Sequence, residues 1–189
     1  MKDARVAGLL LAAGEGSRLG RPKALVEYAG ERLVDRGVRL LAEGGCHPVV
    51  VVLGAATVQV RGAVTVRNPD WASGMGSSLR AGLAALPAQA EAVVVALVDQ
   101  PLIGPGAVRA LIGSGAGLAV ATYGGRRRNP VLIARAHFAG VAELAVGDVG
   151  ARAYLKAHPE LVTEVPCDGH GDPSDIDTPA DLDRLLPPS

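Results

Sequence analysis

Arg18 and Lys23 stand at the far end of a glycine-rich stretch, Leu11-Ala12-Ala13-Gly14-Glu15-Gly16-Ser17-Arg18-Leu19-Gly20-Arg21-Pro22-Lys23. The apolar run from Val6 to Leu11 leads straight into it. Glycines at 14, 16 and 20 lack the Cβ atoms that would hold a ligand away from the backbone amides. A run of such amides forms an anion-binding concavity, and two nearby cations suit a polyphosphate. Asp99 offers the complementary chemistry. It follows Val93-Val94-Val95-Ala96-Leu97-Val98, so its carboxylate emerges from the end of a buried strand. A hard oxygen ligand there suits Mg²⁺, which binds through one or two carboxylates plus substrate phosphates. The bland reading of Asp99 is a strand-ending residue that caps the next turn. Asp175 and Asp177 could complete the same metal shell; equally, Asp177 or Thr178 caps the helix that Pro179 opens.

Spacing narrows the phosphate grip. A Walker loop needs a Gly, four residues and then Gly-Lys-Ser/Thr, and no such run is present. The dinucleotide fingerprint G-x-G-x-x-G needs its third glycine one residue earlier than Gly20, and Pro22 follows almost at once. Glu31 and Asp35, the acidic residues nearest the required distance, fall on an expected helix and not at a strand end.

Three further stretches carry candidate contacts. In Asn68-Pro69-Asp70-Trp71-Ala72-Ser73-Gly74-Met75-Gly76-Ser77-Ser78-Leu79-Arg80, Ser77 or Ser78 reads as the N-cap of a helix over about 77–86. Backbone amides at Gly76, Ser77 and Ser78 are then placed to meet a pyrimidine or ribose edge, and the Asn68 amide to do the same. The alternative is a surface connection anchored by Trp71. Arg126-Arg127-Arg128-Asn129 is the densest charge on the chain, read either as a grip for an anionic second substrate or as a solvated turn between strands. His47, His137, His158 and His170 have no ligand spacing and read as surface or structural residues.

Composition bounds the rest. A chain of 189 residues accommodates one domain, read here as 1–189, with one sizeable core. Aromatics make up only 3% of it, so Val, Leu and Ala must fill that core. A net charge of +0 gives no support for nucleic-acid or membrane-surface binding. The two cysteines, Cys46 and Cys167, fit no metal spacing and no disulfide framework, which points to a reduced, cytoplasmic setting. Residues 1–13 mimic a short leader, but cleavage there would delete the first strand, and the segment is read as part of the fold. Lysine occurs only at 2, 23 and 156 among 19 basic residues, so a lysine at 23 points to a need for a compact ammonium.

To position these groups the chain must alternate strands and helices. Apolar runs at 6–11, 48–53, 92–98, 118–122, 130–133 and 161–165 read as strands, with a shorter one at 63–66 and a brief pairing at 25–28. Helical patterns occupy 31–42, 77–86, 105–112, 135–144, 151–157 and the segment after Thr178. This alternation predicts a three-layer α/β domain with a mostly parallel, mixed sheet. Ligands in such sheets bind at the carboxyl ends of strands, where strand order switches, so the Gly14 loop and Asp99 should share a site.

The string Leu-Ala-Ala-Gly-x-Gly-x-Arg-x-Gly-x-Pro-Lys resembles the signature loop of the sugar-nucleotide and cofactor nucleotidyltransferases. Adding Asn68-Pro69, Gly74 to Leu79, Val98 to Pro101, Gly147 to Arg152 and Asp175 to Leu182, the chain resembles the MobA-like nucleotidyltransferases. It looks most similar to the molybdenum-cofactor cytidylyltransferase group. These motifs occur in family order over nearly the whole chain. The resemblance implies a Rossmann-like fold, Mg²⁺ and transfer of a nucleotidyl group to an anionic phosphorylated acceptor. It places Leu11, Ala12, Ala13, Gly14, Gly16, Arg18, Lys23, Asn68, Gly76, Ser77 and Ser78 at the nucleotide. Arg18 would hold the outer phosphates, Lys23 the α-phosphate, and Asp99 the metal with Asp175 or Asp177. Arg128, Asn129, Asp148 and Arg152 fall on the acceptor side. The Ala12-Ala13-Gly14 form favours CTP. Family members commonly carry Arg-Gly-His-Pro where this chain has Arg127-Arg128-Asn129-Pro130, so the acceptor itself stays open. Relatives of this architecture described as nicotine-blue oxidoreductases make a nicotinamide-dependent reduction the second reading, and a non-catalytic nucleotide-binding module is the third.

Overall fold

The computed structural model describes residues 5–187. The charged start of the leader-like segment, residues 1–4, lies outside them. A seven-stranded sheet forms the middle layer, built from β1 (Val6–Ala12), β4 (Val49–Leu53), β5 (Val64–Arg67), β6 (Ala92–Leu97), β7 (Leu118–Tyr123), β8 (Arg126–Ala134) and β9 (Val162–Pro166). A small antiparallel hairpin, β2 (Glu27–Tyr28) with β3 (Glu31–Arg32), stands apart from it. The order across the sheet is β5-β4-β1-β6-β8-β7-β9. Every pairing in it is parallel except the two that β8 makes, so the sheet is mixed but mostly parallel.

Alternation of side chains along β1 builds two cores from one strand. Leu10 and Ala12 face a layer made with α1 (Leu33–Glu43) and α3 (Pro105–Gly113), where Leu33, Val34, Leu41, Val108 and Leu111 pack. Leu9 and Leu11 face the opposite layer, where Leu79, Leu83, Val141 and Leu155 come from α2 (Met75–Ala85), α4 (Phe138–Leu144) and α5 (Arg152–Ala157). Leu9, Leu10, Leu33, Leu79 and Leu111 are fully buried. Burying each such side chain contributes about 1.5–3 kcal/mol. The closing helix α6 (Pro179–Leu185) begins at a capping box: Thr178 accepts from the Asp181 amide, and the Asp181 carboxylate accepts from the Thr178 amide.

Strand order reverses beside β1. The chain passes from β1 to β4 and β5 on one side, then returns to β6 on the other. Leu11 lies level with Leu97, so the loops after β1 and β6 leave the sheet together. That is the switch point at which a crevice must open.

Several expected boundaries differ: Glu31–Arg32, expected to open the first helix, form β3, α4 starts at Phe138 and not at 135, and two further differences bear on the site. The arginine run is not a turn: β8 starts at Arg126, and the turn is at Gly124-Gly125. β6 pairs only with Val131 to Ala134 of β8, so Arg126 to Arg128 pair with β7 alone and project past the end of β6. Helix α2 starts at Met75 with Gly74 as N-cap, three residues before the nearer of the two expected serine caps. Both cysteines are buried free thiols, and burial pushes Cys46 up to about 12, which disfavours its thiolate.

Candidate active site

The loop after β1 is closed by its own backbone. The Leu19 amide donates to Gly16 O at 2.8 Å and the Lys23 amide to Gly14 O at 3.2 Å. Gly16 sits at φ 60°, and a Cβ there would lie 2.1 Å from the carbonyl oxygen of Arg21. Only glycine fits. The loop carries Lys23 inward, while Arg18 stays exposed on the outside.

At the end of β6 the Asp99 carbonyl accepts from the Ile176 amide at 2.8 Å, which lays the Asp175-Ile176-Asp177 segment across the strand's end. Because Thr178 is the residue that caps α6, Asp177 is left to face the site. The Lys23 ammonium lies 2.6 Å from Asp99 Oδ2 and also donates to Asp177 Oδ1. Burial opposes the charge on Lys23, but Asp99 and Asp177 outweigh it and hold the ammonium above its ordinary range. Asp175 accepts from Gln100 Nε2 at 2.8 Å; burial, then the neighbouring charge of Asp99, push its carboxyl above the usual range.

Two clefts meet here. One of about 320 Å³ is lined by Leu11, Ala13, Gly14, Lys23, Trp71 and Ser78 among others. A larger one of about 610 Å³ takes in Arg128, Asn129, Asp148, Arg152, Asp175 and Asp177. Met75, Leu97, Asp99 and Asp148 line both. The first cleft is bounded by the glycine loop. The second is apolar on one side, through Val120, Val131 and Leu155, and cationic on another.

The residues expected at a nucleotide divide accordingly. Leu11, Ala13, Gly14, Lys23 and Ser78 line the smaller cleft, whereas Ala12 turns its side chain to the other face of the sheet. Arg18 lies outside the lining of both clefts. Asn68 differs from expectation: it is buried, its Nδ2 donates to Ser77 Oγ at 2.8 Å and Ser78 Oγ at 3.0 Å, and its Oδ1 accepts from the Asp70 amide at 3.0 Å. Its amide is spent on scaffolding. Gly76 and Ser77 differ in the same way, since their amides donate to Gly147 O at 2.8 Å and Gly74 O at 3.2 Å.

Some cleft residues were not anticipated. Lys156 sits four residues after Arg152 on α5, and both line the larger cleft. The i, i+4 spacing that places two such cations on one helix face was readable in the sequence. Trp71, expected only as an anchor, packs its Cβ and Cγ over Gly54 and lines the smaller cleft. Arg127 is partly tied down, its Nε 2.6 Å from Glu164 Oε1, whereas Arg128, the other arginine of that run lining the cleft, has no such partner assigned among the described residues.

The sequence pattern of the MobA-like NTP transferase domain matches residues 8–162. The chain belongs to this family. The family is one of nucleotidyltransferases, and its glycine loop, Lys23 and Asp99 fall in the matched span. The nicotine blue oxidoreductase of Paenarthrobacter nicotinovorans is 41% identical over 96% of this chain and 96% of its own length. A probable molybdenum cofactor guanylyltransferase of Opitutus terrae is 40% identical over 52% of this chain and 50% of its own. Among solved structures, Rv0371c of Mycobacterium tuberculosis superposes with a TM-score of 0.84 at 29% identity, covering 97% of this chain and 98% of that one. Rv0371c has also been solved in complex with manganese.

The donor set fits a divalent cation. Asp99 Oδ1 is buried without a hydrogen-bond partner, and Asp177 faces the same ammonium as Asp99. No group of three acidic, histidine or cysteine side chains among the described residues is arranged to enclose a metal. An ion held by two carboxylates with room for substrate oxygens agrees with both facts. No helix among the described residues is long and apolar enough to cross a membrane.

Proposed function

We propose that this protein transfers a nucleoside monophosphate, CMP foremost, from its triphosphate to a phosphorylated acceptor such as a molybdenum cofactor, with Mg²⁺ and release of pyrophosphate. The observation that carries this reading is the shared wall. A donor in the smaller cleft and an acceptor in the larger one would meet at Asp99, where Leu97, Met75 and Asp148 belong to both.

In this mechanism an acceptor phosphate oxygen attacks the α-phosphorus, and the bond to the pyrophosphate oxygen breaks. Little covalent chemistry is asked of the protein; holding the reactants in line and neutralising charge supply most of the effect. The backbone of the Gly14 loop receives the triphosphate, and Lys23 neutralises the phosphate on which charge accumulates. Arg128, Arg152 and Lys156 orient the acceptor through its anionic group. Asp99 and Asp177 would hold the divalent ion, which supplies positive charge to the phosphates when bound.

A second reading is favoured by one finding, the 41% identity to a protein named nicotine blue oxidoreductase. One experiment separates the two. Purified protein is given CTP, GTP, ATP or UTP with Mg²⁺ and molybdenum cofactor, and pyrophosphate is measured; in parallel, NADH and NADPH oxidation is followed without metal, with nicotine blue supplied as the electron acceptor. Mg²⁺-dependent pyrophosphate release, fastest with CTP, is the expected result. Pyrophosphate absent with all four nucleotides, together with metal-independent nicotinamide oxidation, would replace the transferase with the reductase.

A further inference from the structure

The Lys23 ammonium sits between the two carboxylates that would hold the divalent ion. Its Nζ donates to one oxygen of Asp99 and one of Asp177, so a single group supplies the counter-charge for both carboxylates. The Lys23 and Asp99 side chains are only 18% and 17% exposed. Solvent is therefore a poor substitute for either partner. Asp99 Oδ1 is left without a hydrogen-bond partner, but a divalent cation on it would share one carboxylate with the ammonium on Oδ2, and like charges that close in a half-buried site repel strongly.

We propose that Lys23 is the resident counter-ion of the Asp99–Asp177 pair, and that a divalent metal enters only by displacing it. The geometry supplies the destination. Lys23 lines the smaller cleft, and among the described residues, apart from Gly14 and its chain neighbours, its Cδ alone comes within 4 Å of where a Gly14 Cβ would stand, so open space adjoins the stem. Rotation about the four-carbon side chain carries the ammonium from the carboxylates into that space without moving the backbone. Arginine, with a broad planar head, could not make this exchange. On the transferase reading, on which this consequence rests, metal and triphosphate help one another. Metal alone expels Lys23 with no anion to receive it; triphosphate alone draws Lys23 away and leaves two carboxylates beside its own charge. Bound together, each supplies the partner the other removes, which is positive linkage between two ligands.

The test measures Mn²⁺ binding by electron paramagnetic resonance of the free ion, with no nucleotide present. Lys23→Met is expected to bind Mn²⁺ on the order of 10-fold more tightly than wild type, within the range usual for coupled sites. Asp99→Asn in the Lys23→Met background should abolish that gain. Equal or weaker Mn²⁺ binding by Lys23→Met overturns the proposal. Should Lys23→Met fail to fold, the wild-type protein gives the same answer through acetylation followed by mass spectrometry, with Lys156 as internal control. Saturating Mn²⁺ is expected to speed modification of Lys23 and leave Lys156 unchanged; an unchanged Lys23 rate overturns the proposal. Neither measurement requires nucleotide. A non-hydrolysable CTP analogue, added last, probes the transferase reading: tightening of Mn²⁺ in wild type supports it, while its absence beside a tighter Lys23→Met sinks that reading and leaves Lys23 as the resident cation.

Discussion

The Gly76 amide donates to the carbonyl of Gly147 at 2.8 Å, and this bond fastens the start of α2 to the loop that bounds both clefts. The contact is close because residue 76 has no side chain. A Cβ there would lie 2.5 Å from Ala145 O and 2.8 Å from the Val146 amide nitrogen. Arg80, one helical turn further on, donates to the same Ala145 carbonyl. Gly76 thus acts on the site through the position of Asp148, which lines both clefts, and not by touching a ligand itself.

Gly76→Ala therefore forces the 145–148 backbone outward. Overpacking of this kind costs about 1–3 kcal/mol, against which the better helix propensity of alanine returns at most ~1. The expected outcome is a lower urea midpoint together with a raised acceptor KM. A variant with unchanged midpoint and unchanged KM would show that the loop yields freely.

Asn68 makes an analogous prediction with a different signature. Asn68→Ala removes the donor to Ser77 and Ser78 and the acceptor for the Asp70 amide, leaving buried polar groups short of partners. A loss of about 1–3 kcal/mol of stability is expected, read as a fall in Tm. If Asn68 instead contacted a nucleotide directly, the nucleotide KM would rise while Tm stayed in place.

What the sequence made legible were features that local pattern decides. The apolar runs became β1, β4 and β6, and their alternation with helices predicted the three layers and the switch point where Gly14 and Asp99 now meet. The start of β8 was hidden because three consecutive arginines read as a solvated turn; only pairing with β7, beyond the reach of β6, makes them strand. The spending of Asn68, Gly76 and Ser77 on internal bonds was hidden for a related reason. Their partners lie in the 145–148 loop, in the chain's own turn at Asp70 and Gly74, or, for the Asn68 amide, on Ser77 and Ser78 of α2, and no spacing rule connects them. The pairing of Lys23 with both Asp99 and Asp177 spans 76 and 154 residues of sequence and is a product of the fold alone.

The cationic wall of the larger cleft gives a prediction about substrate. Arg128 and Arg152 both line it and are exposed, and no hydrogen-bond partner is assigned to either within the described residues. A charge-assisted contact to an acceptor phosphate is worth about 1.5–3 kcal/mol. Arg128→Ala and Arg152→Ala should each raise the acceptor KM by roughly 10-fold or more at that energy, with the CTP KM unaffected. Equal rises in both KM values would place these arginines on the nucleotide side.

The last prediction concerns pH and a cluster outside the lining of both clefts. Glu31, on β3, accepts from Arg39 at 2.7 and 3.2 Å and from Arg36 at 3.2 Å, which ties the hairpin to α1. Its hydrogen bonds to Arg39, foremost, hold the carboxyl below its ordinary value of 4.5. A carboxyl depressed in the folded state stabilises the protein above the unfolded value, and that stabilisation disappears as pH falls through the folded one. Wild type should therefore exceed Glu31→Gln in urea midpoint at pH 7. The gap should be modest, below about 1 kcal/mol for a pair this close to solvent. It should shrink as pH falls below the ordinary value of 4.5 and close once the depressed carboxyl is protonated in the folded protein, because protonated Glu31 and glutamine are then alike in charge. Added salt at pH 7 should narrow it as well, through screening. A gap that does not shrink in acid would mean that glutamine disturbs the packing of the hairpin on α1, and that charge pairing with Arg39 is not what Glu31 contributes.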